Sequence, residues 1–139
     1  VAQVRLEAAG IDTTRITFRR ADLTVEQLPE GCYDLLVTLF FFDNFDAATV
    51  RHIVPVLERA SMPTAQWILS DFQVPNSGWR RVRARIWLTI LYAFFRCVAG
   101  IPARSVPPTE AILATTSFKQ TARSTYCGEM LYSTLYRRQ

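Results

Sequence analysis

Lysine is almost missing from this 139-residue chain: Lys119 is the only one, and arginine supplies the rest of the 16 basic side chains. They face 12 acidic residues, so the net charge is a modest +4. Apart from the cluster Arg80, Arg81, Arg83 and Arg85, the arginines are spread along the chain. There is no strong nucleic-acid signal; the cluster reads as a solvated helix face or as a contact for phosphate or an acidic partner. Histidine is equally scarce. His52 stands alone beside Arg51 in a helical pattern, as a surface residue, and no His, Cys or carboxylate cluster has metal-ligand spacing. The 3 cysteines, Cys32, Cys97 and Cys127, are odd in number, far apart and free of any Cys-x-x-Cys. That excludes a disulfide framework or a zinc site and predicts reduced thiols in a cytoplasmic protein.

Glycine is sparse too. The 5 glycines are isolated, none in a Gly-x-Gly context, so a phosphate loop is excluded, and no serine sits in a nucleophile elbow. No long uncharged apolar run exists. The most apolar stretch, 86–101, is short for a membrane span and carries Arg96, which predicts a buried or interface helix. No secretory leader is visible. The first residues, Val1 to Gly10, start within a helical pattern, so the amino-terminal end is expected to be cut from a longer protein.

What is present is apolar and patterned. Half the residues are hydrophobic and 20% are charged, the composition of a globular domain or part of one. The run from Leu35 to Phe42, closed by Asp43-Asn44-Phe45, predicts a strand at 33–40 buried on both faces. Before it, the spacing predicts a helix over 1–9 stopped by Gly10, and alternation over 15–20 (Ile16 and Phe18 against Thr17 and Arg19) predicts a strand. After it comes a helix over 47–60, capped by Asp46 and interrupted by Pro55, which should kink it. A turn at 61–64 leads to a second buried strand, 66–72, and a loop at 75–78 to a long helix, 79–99, Arg-rich at its start and aromatic later. Proline at 102, 107 and 108 punctuates the chain before a short helix from Thr109, its expected cap, to about Thr116. Strands at 118–126 and 130–137 around Cys127-Gly128-Glu129 form a hairpin. The order predicts an α/β fold, a mostly parallel sheet with helices on both faces and an antiparallel last strand. Ligands in such sheets bind at the carboxyl ends of the strands, here 40–45.

These residues resemble the carboxyl-terminal two thirds of a class I S-adenosylmethionine-dependent methyltransferase. The resemblance rests on Ala21-Asp22-Leu23, on Tyr33-Asp34-Leu35-Leu36-Val37 running into Phe40-Phe41-Phe42-Asp43-Asn44-Phe45, on Trp67-Ile68-Leu69-Ser70-Asp71-Phe72 and on the final strand pair. It is most similar to a small bacterial subgroup with an aromatic Phe-Phe-x-Asp-x-Phe segment after the fourth strand. It implies a Rossmann-like methyltransferase sheet, truncated at the amino end, forming a single incomplete domain over 1–139. The family's glycine-rich loop and ribose-binding acid match nothing here and are expected upstream of Val1.

The resemblance implies S-adenosylmethionine as cofactor and methyl transfer to an unidentified, small-molecule acceptor. Asp22 would accept from the adenine amino group, with Leu23 backing the ring. Phe40 and Phe41 would wall the methyl-bearing end, and at least part of the Phe40–Phe42 trio is expected to be core. Asp43 either faces the acceptor or, like Asp46, caps the next helix; Asp71 would orient the acceptor. Methyl transfer relies mostly on positioning, so no catalytic base is assigned. The alternative is a non-catalytic methyltransferase-like interaction module, with homo-oligomerisation through the 79–99 helix. A nicotinamide-dependent reductase is disfavoured by the terminal hairpin.

Overall fold

The structure, a computed structural model, describes residues 2–75, 78–99 and 106–139. Val1, residues 76–77 of the predicted loop and Pro102 lie outside the described residues. Helix α1 (Ala2–Ala8) ends as its sequence predicts. Gly10, at φ +70°, donates to the Glu7 carbonyl, and Ile11 reaches back to Leu6 at 3.0 Å, a cap that needs a left-handed residue.

The predicted strand at 15–20 does not form. These residues are irregular, and Ile16 and Phe18 are exposed. Alternation confers strand character only when a neighbour supplies the ladder hydrogen bonds, and no described strand lies beside this segment.

The sheet is built from β1 (Tyr33–Leu39), β2 (Ser61–Phe72), β3 (Phe118–Tyr126) and β4 (Leu131–Arg138), in the order β1-β2-β4-β3. β1 and β2 run parallel; β4 is antiparallel to both β2 and β3. The expected parallel centre and antiparallel last strand are thus both present. β2 starts at Ser61, so the predicted turn at 61–64 is part of the strand instead. The pairing steps from Tyr33↔Ser61 to Leu35↔Gln66, and Pro63 sits in the resulting bulge, where its missing N–H breaks no ladder bond.

Helix α2 (Ala47–Ala60) begins at Asp46, whose Oδ1 accepts from the Thr49 amide at 2.8 Å, and runs through Pro55 to Ala60. Its buried face, Val50, Ile53, Val54 and Leu57, lies on one face of the sheet together with Ile112 and Leu113 of α4 (Thr109–Leu113). Each such aliphatic side chain contributes roughly 1.5–3 kcal/mol on burial. Trp67 is the centre of this core: it is fully buried, meets the Phe118 ring edge-on at 5.3 Å and donates Nε1–H to Thr38 Oγ1 at 2.9 Å. α4 stops earlier than predicted, and Thr109 is its buried first residue rather than its cap, which is Pro108 without a side-chain bond.

The opposite face of β1 corrects a second expectation. Leu36 is buried, but Leu35, Val37 and Leu39 are each about half exposed, at 48%, 51% and 57%. The unbroken apolar run marks a strand made to be covered twice, and among the described residues only one cover is present. Helix α3 (Gly78–Ala99) crosses the carboxyl end of β2, burying Leu88 and Tyr92 against Phe72, Val74 and Val106.

Candidate functional site

Parallel strands β1 and β2 end side by side, and the Phe40 amide closes their ladder on the Ser70 carbonyl at 2.8 Å. There the chain breaks direction. Phe40 adopts φ +50°, a left-handed conformation that a bulky side chain rarely holds and that persists only where surrounding contacts enforce it. Those contacts come from Asn44, whose Nδ2 donates to the Phe40 carbonyl at 2.8 Å and to the Phe41 carbonyl at 3.1 Å. Residues Phe42–Asn44 form a short 3-10 turn between them. The strained turn aims the Phe40 ring outward, 5.2 Å from Phe72, and sends Phe42 into the core against Trp67.

Between this turn and α3 lies a cleft of about 290 Å³, lined by Phe40, Asp43, Asn44, Phe72, Leu91, Tyr92 and Phe95. Its walls are mostly aromatic and aliphatic, with Asp43 and Asn44 as the few polar side chains, the pattern of a small-molecule site. Asp71, the next-to-last residue of β2, is 1% exposed. Its Oδ1 accepts from the Phe72 amide at 2.9 Å, and its Oδ2 has no partner. Burial, and then the neighbouring Asp43 carboxylate, push the Asp71 carboxyl up to about 7, against the opposing amides of Phe72 and Asp43. Burial likewise raises Asp43. Tyr92 is also buried with an unpartnered hydroxyl, raised first by burial and then by the charges of Asp43 and Asp71. An unsatisfied buried group costs about 1–3 kcal/mol, so two of them beside one cleft, Tyr92 in its wall and Asp71 behind it, are an energetic signature of a site.

Of the residues expected from the sequence, the structure brings Phe40, Asp43 and Asp71 together. Phe41 turns away, packing its ring on Phe42 and Phe45 at 5.2 and 5.1 Å, and does not line the cleft. Asp43 caps nothing; Asp46 holds that role alone. Asp22 is fully exposed in a turn, accepting from the Thr24 amide and hydroxyl at 2.9 and 2.7 Å, bonds that lower its carboxyl below the ordinary value. Leu23 packs on the edge of the main core. Sequence reasoning missed Tyr92, Leu91, Phe95 and Asn44. The 88-91/92-95 spacing shows that these helix residues share a face, but which element they meet is a long-range fact. His52 is exposed, as expected. Cys32, Cys97 and Cys127 are free and exposed. Among the described residues no His, Cys, Asp and Glu group could hold a metal, and no helix is long and apolar enough to cross a membrane.

No protein-family model and no curated protein matches the chain. Solved structures do. The mitomycin 7-O-methyltransferase MmcR superimposes with a TM-score of 0.71 at 16% identity, over 99% of this chain and 38% of that one. An S-adenosylmethionine-dependent methyltransferase from Mesorhizobium loti gives 0.61 at 22% identity, over 98% and 75%. One from Methanosarcina mazei gives 0.59 at 12% identity, over 98% and 76%. Other matched structures are spanned over 39–65% of their length. The likeness defines the fold: the chain has the Rossmann-like sheet seen in S-adenosylmethionine-dependent methyltransferases, with the cleft at the carboxyl ends of β1 and β2.

Proposed function

We propose that this chain is part of an S-adenosylmethionine-dependent methyltransferase and carries the acceptor side of its site. The observation that supports this most is the strained Phe40 turn, which opens an apolar cleft over two buried, unpartnered polar groups where ligands bind in sheets of this kind. The residues fit the cofactor. Phe40 offers an aromatic face suited to a sulfonium, and Asp22 keeps an exposed acceptor for an adenine amine, with Leu23 beneath. When bound, S-adenosylmethionine supplies an electrophilic methyl group; the chain's own part is to hold the acceptor, exclude water and accept its proton at Asp43 or Asp71. The acceptor is a small molecule, and the site is cytoplasmic in keeping with its free thiols.

The test is isothermal titration of the full-length protein with S-adenosylhomocysteine. Binding in the micromolar range, weakened about tenfold by Phe40→Ala, is expected; no heat where a control methyltransferase binds overturns the reading.

The interaction-module alternative draws on one observation. Trp79, Val82, Ile86, Ile90 and Phe94 form an exposed stripe along α3, which would serve a second copy. A module has no use for the strained turn or the orphaned carboxyl, so the enzyme reading is preferred.

A further inference from the structure

The floor of the cleft is acidic and uncompensated. Asp43, from the turn after β1, and Tyr92, from α3, line it, and Asp71 of β2 lies buried behind them, close enough for the Asp43 charge to act on its carboxyl. Tyr132 of β4, buried and outside the lining of the cleft, lies near Asp71, and burial and then the Asp71 charge hold its hydroxyl protonated. Behind it Glu110 pairs with Arg123, and the Arg123 guanidinium lies over the Tyr132 ring at 4.7 Å, so that cation is already committed. Neither Asp43 nor Asp71 has an ion pair among the described residues. Asp71 Oδ2 lacks a donor and the Tyr92 hydroxyl lacks any partner, and both side chains are more than nine-tenths buried. Water could supply those bonds only where polar surroundings hold it, and apart from Asn44, whose amide is taken up by the Phe40 and Phe41 carbonyls and Asp43, the remaining walls, Phe40, Phe72, Leu91 and Phe95, are apolar.

We propose that this cleft takes a flat, apolar molecule bearing one hydroxyl, of the phenol class, whose ring lies among Phe40, Phe72, Leu91 and Phe95 and whose O–H donates to Asp43, backed by Asp71, beside Tyr92. This deepens the methyltransferase reading and rests on it for the identity of the ligand as methyl acceptor. An anionic ligand is disfavoured, because it meets two carboxyls with no cation beside them. The hydroxyl proton has a receiver as well. The O–H bond breaks as a carboxyl O–H bond forms on the pair, and the electron pair stays on the phenolic oxygen.

The pair changes state within reach of neutral pH, because Asp71 titrates at about 7. Above that value Asp71 holds no proton and the pair accepts the hydroxyl through Asp43; below it Asp71 carries a proton of its own and the donor preference fades.

The probes are 2-naphthol and 2-methoxynaphthalene, alike in ring and different in the donor, titrated fluorimetrically at roughly pH 6 and roughly pH 8, either side of that pKa. At the higher pH naphthol is expected to bind about tenfold tighter than the ether, the gain from a hydrogen bond to a charged group, and at the lower pH less than about threefold. Asp71→Asn removes the pH dependence, and Tyr92→Phe, which keeps the ring and the packing, lowers the preference for naphthol. Leu91→Trp fills the cleft and weakens both probes, which separates binding there from adsorption on exposed apolar surface. Equal binding of the two probes at both pH values, or binding unchanged by Leu91→Trp in a protein with native circular dichroism, overturns the proposal. The S-adenosylhomocysteine titration is independent: binding there without naphthol preference sinks this inference and leaves the methyltransferase reading, and the reverse sinks only that reading.

Discussion

Asp71 shows how much one residue's surroundings can change its chemistry. Its carboxyl is raised to about 7 by burial and by Asp43, so the folded protein holds a proton that the unfolded chain, at the ordinary value of 3.8, releases earlier. The stabilising proton is fully in place below the unfolded value and is lost as pH rises through about 7. Stability is therefore expected to fall between about pH 4 and about pH 7. Asp71→Asn keeps an acceptor for the Phe72 amide and removes the charge. At about pH 8 it should stabilise the protein by about 2 kcal/mol, raising Tm by several degrees, with little gain at about pH 4; melts at the two values check this. The sequence placed an acid at this strand end. It could not show that the acid would be buried without a cation, because burial depends on α3 closing over it.

At the scale of elements, α2 is the piece its own sequence specifies most completely: the cap, the apolar spacing and the length all read correctly. Asp46→Ala should cost about 1 kcal/mol, seen as a lower denaturant midpoint with an unchanged m-value. Packing between elements is the harder part. Thr38→Val leaves the Trp67 Nε1–H without its 2.9 Å partner inside the core, and should cost about 1–3 kcal/mol although the two side chains are the same size. The 15–20 segment and residues 61–64 mark the limit of local reading. One alternates without a partner and stays irregular; the other contains proline and is a strand, since a bulge accommodates it.

For the molecule as a whole, the consequence is an open sheet. β1 is an edge in the order β1-β2-β4-β3, and its outer face presents Leu35, Val37 and Leu39. Exposed apolar edges recruit further strands and faces. The 139-residue chain by itself is expected to associate, and Val37→Lys with Leu39→Lys to shift it toward monomer in light scattering. A monodisperse monomer before substitution would show that the face is stable in water.

By itself the sequence determined what depends on near neighbours: the helices, the Asp46 cap, the aromatic-acid segment and the α/β class. These follow from periodicity and from residue conformational preference, which act within a few positions. Tertiary structure decided the rest. It chose which phenylalanine faces the cleft, by forcing Phe40 and not Phe41 through the left-handed turn, and it brought Tyr92 from a distant helix over Asp43 and Asp71. Those outcomes arise from packing between parts of the chain that are far apart in sequence, where one side chain's conformation, burial and charge are set by others.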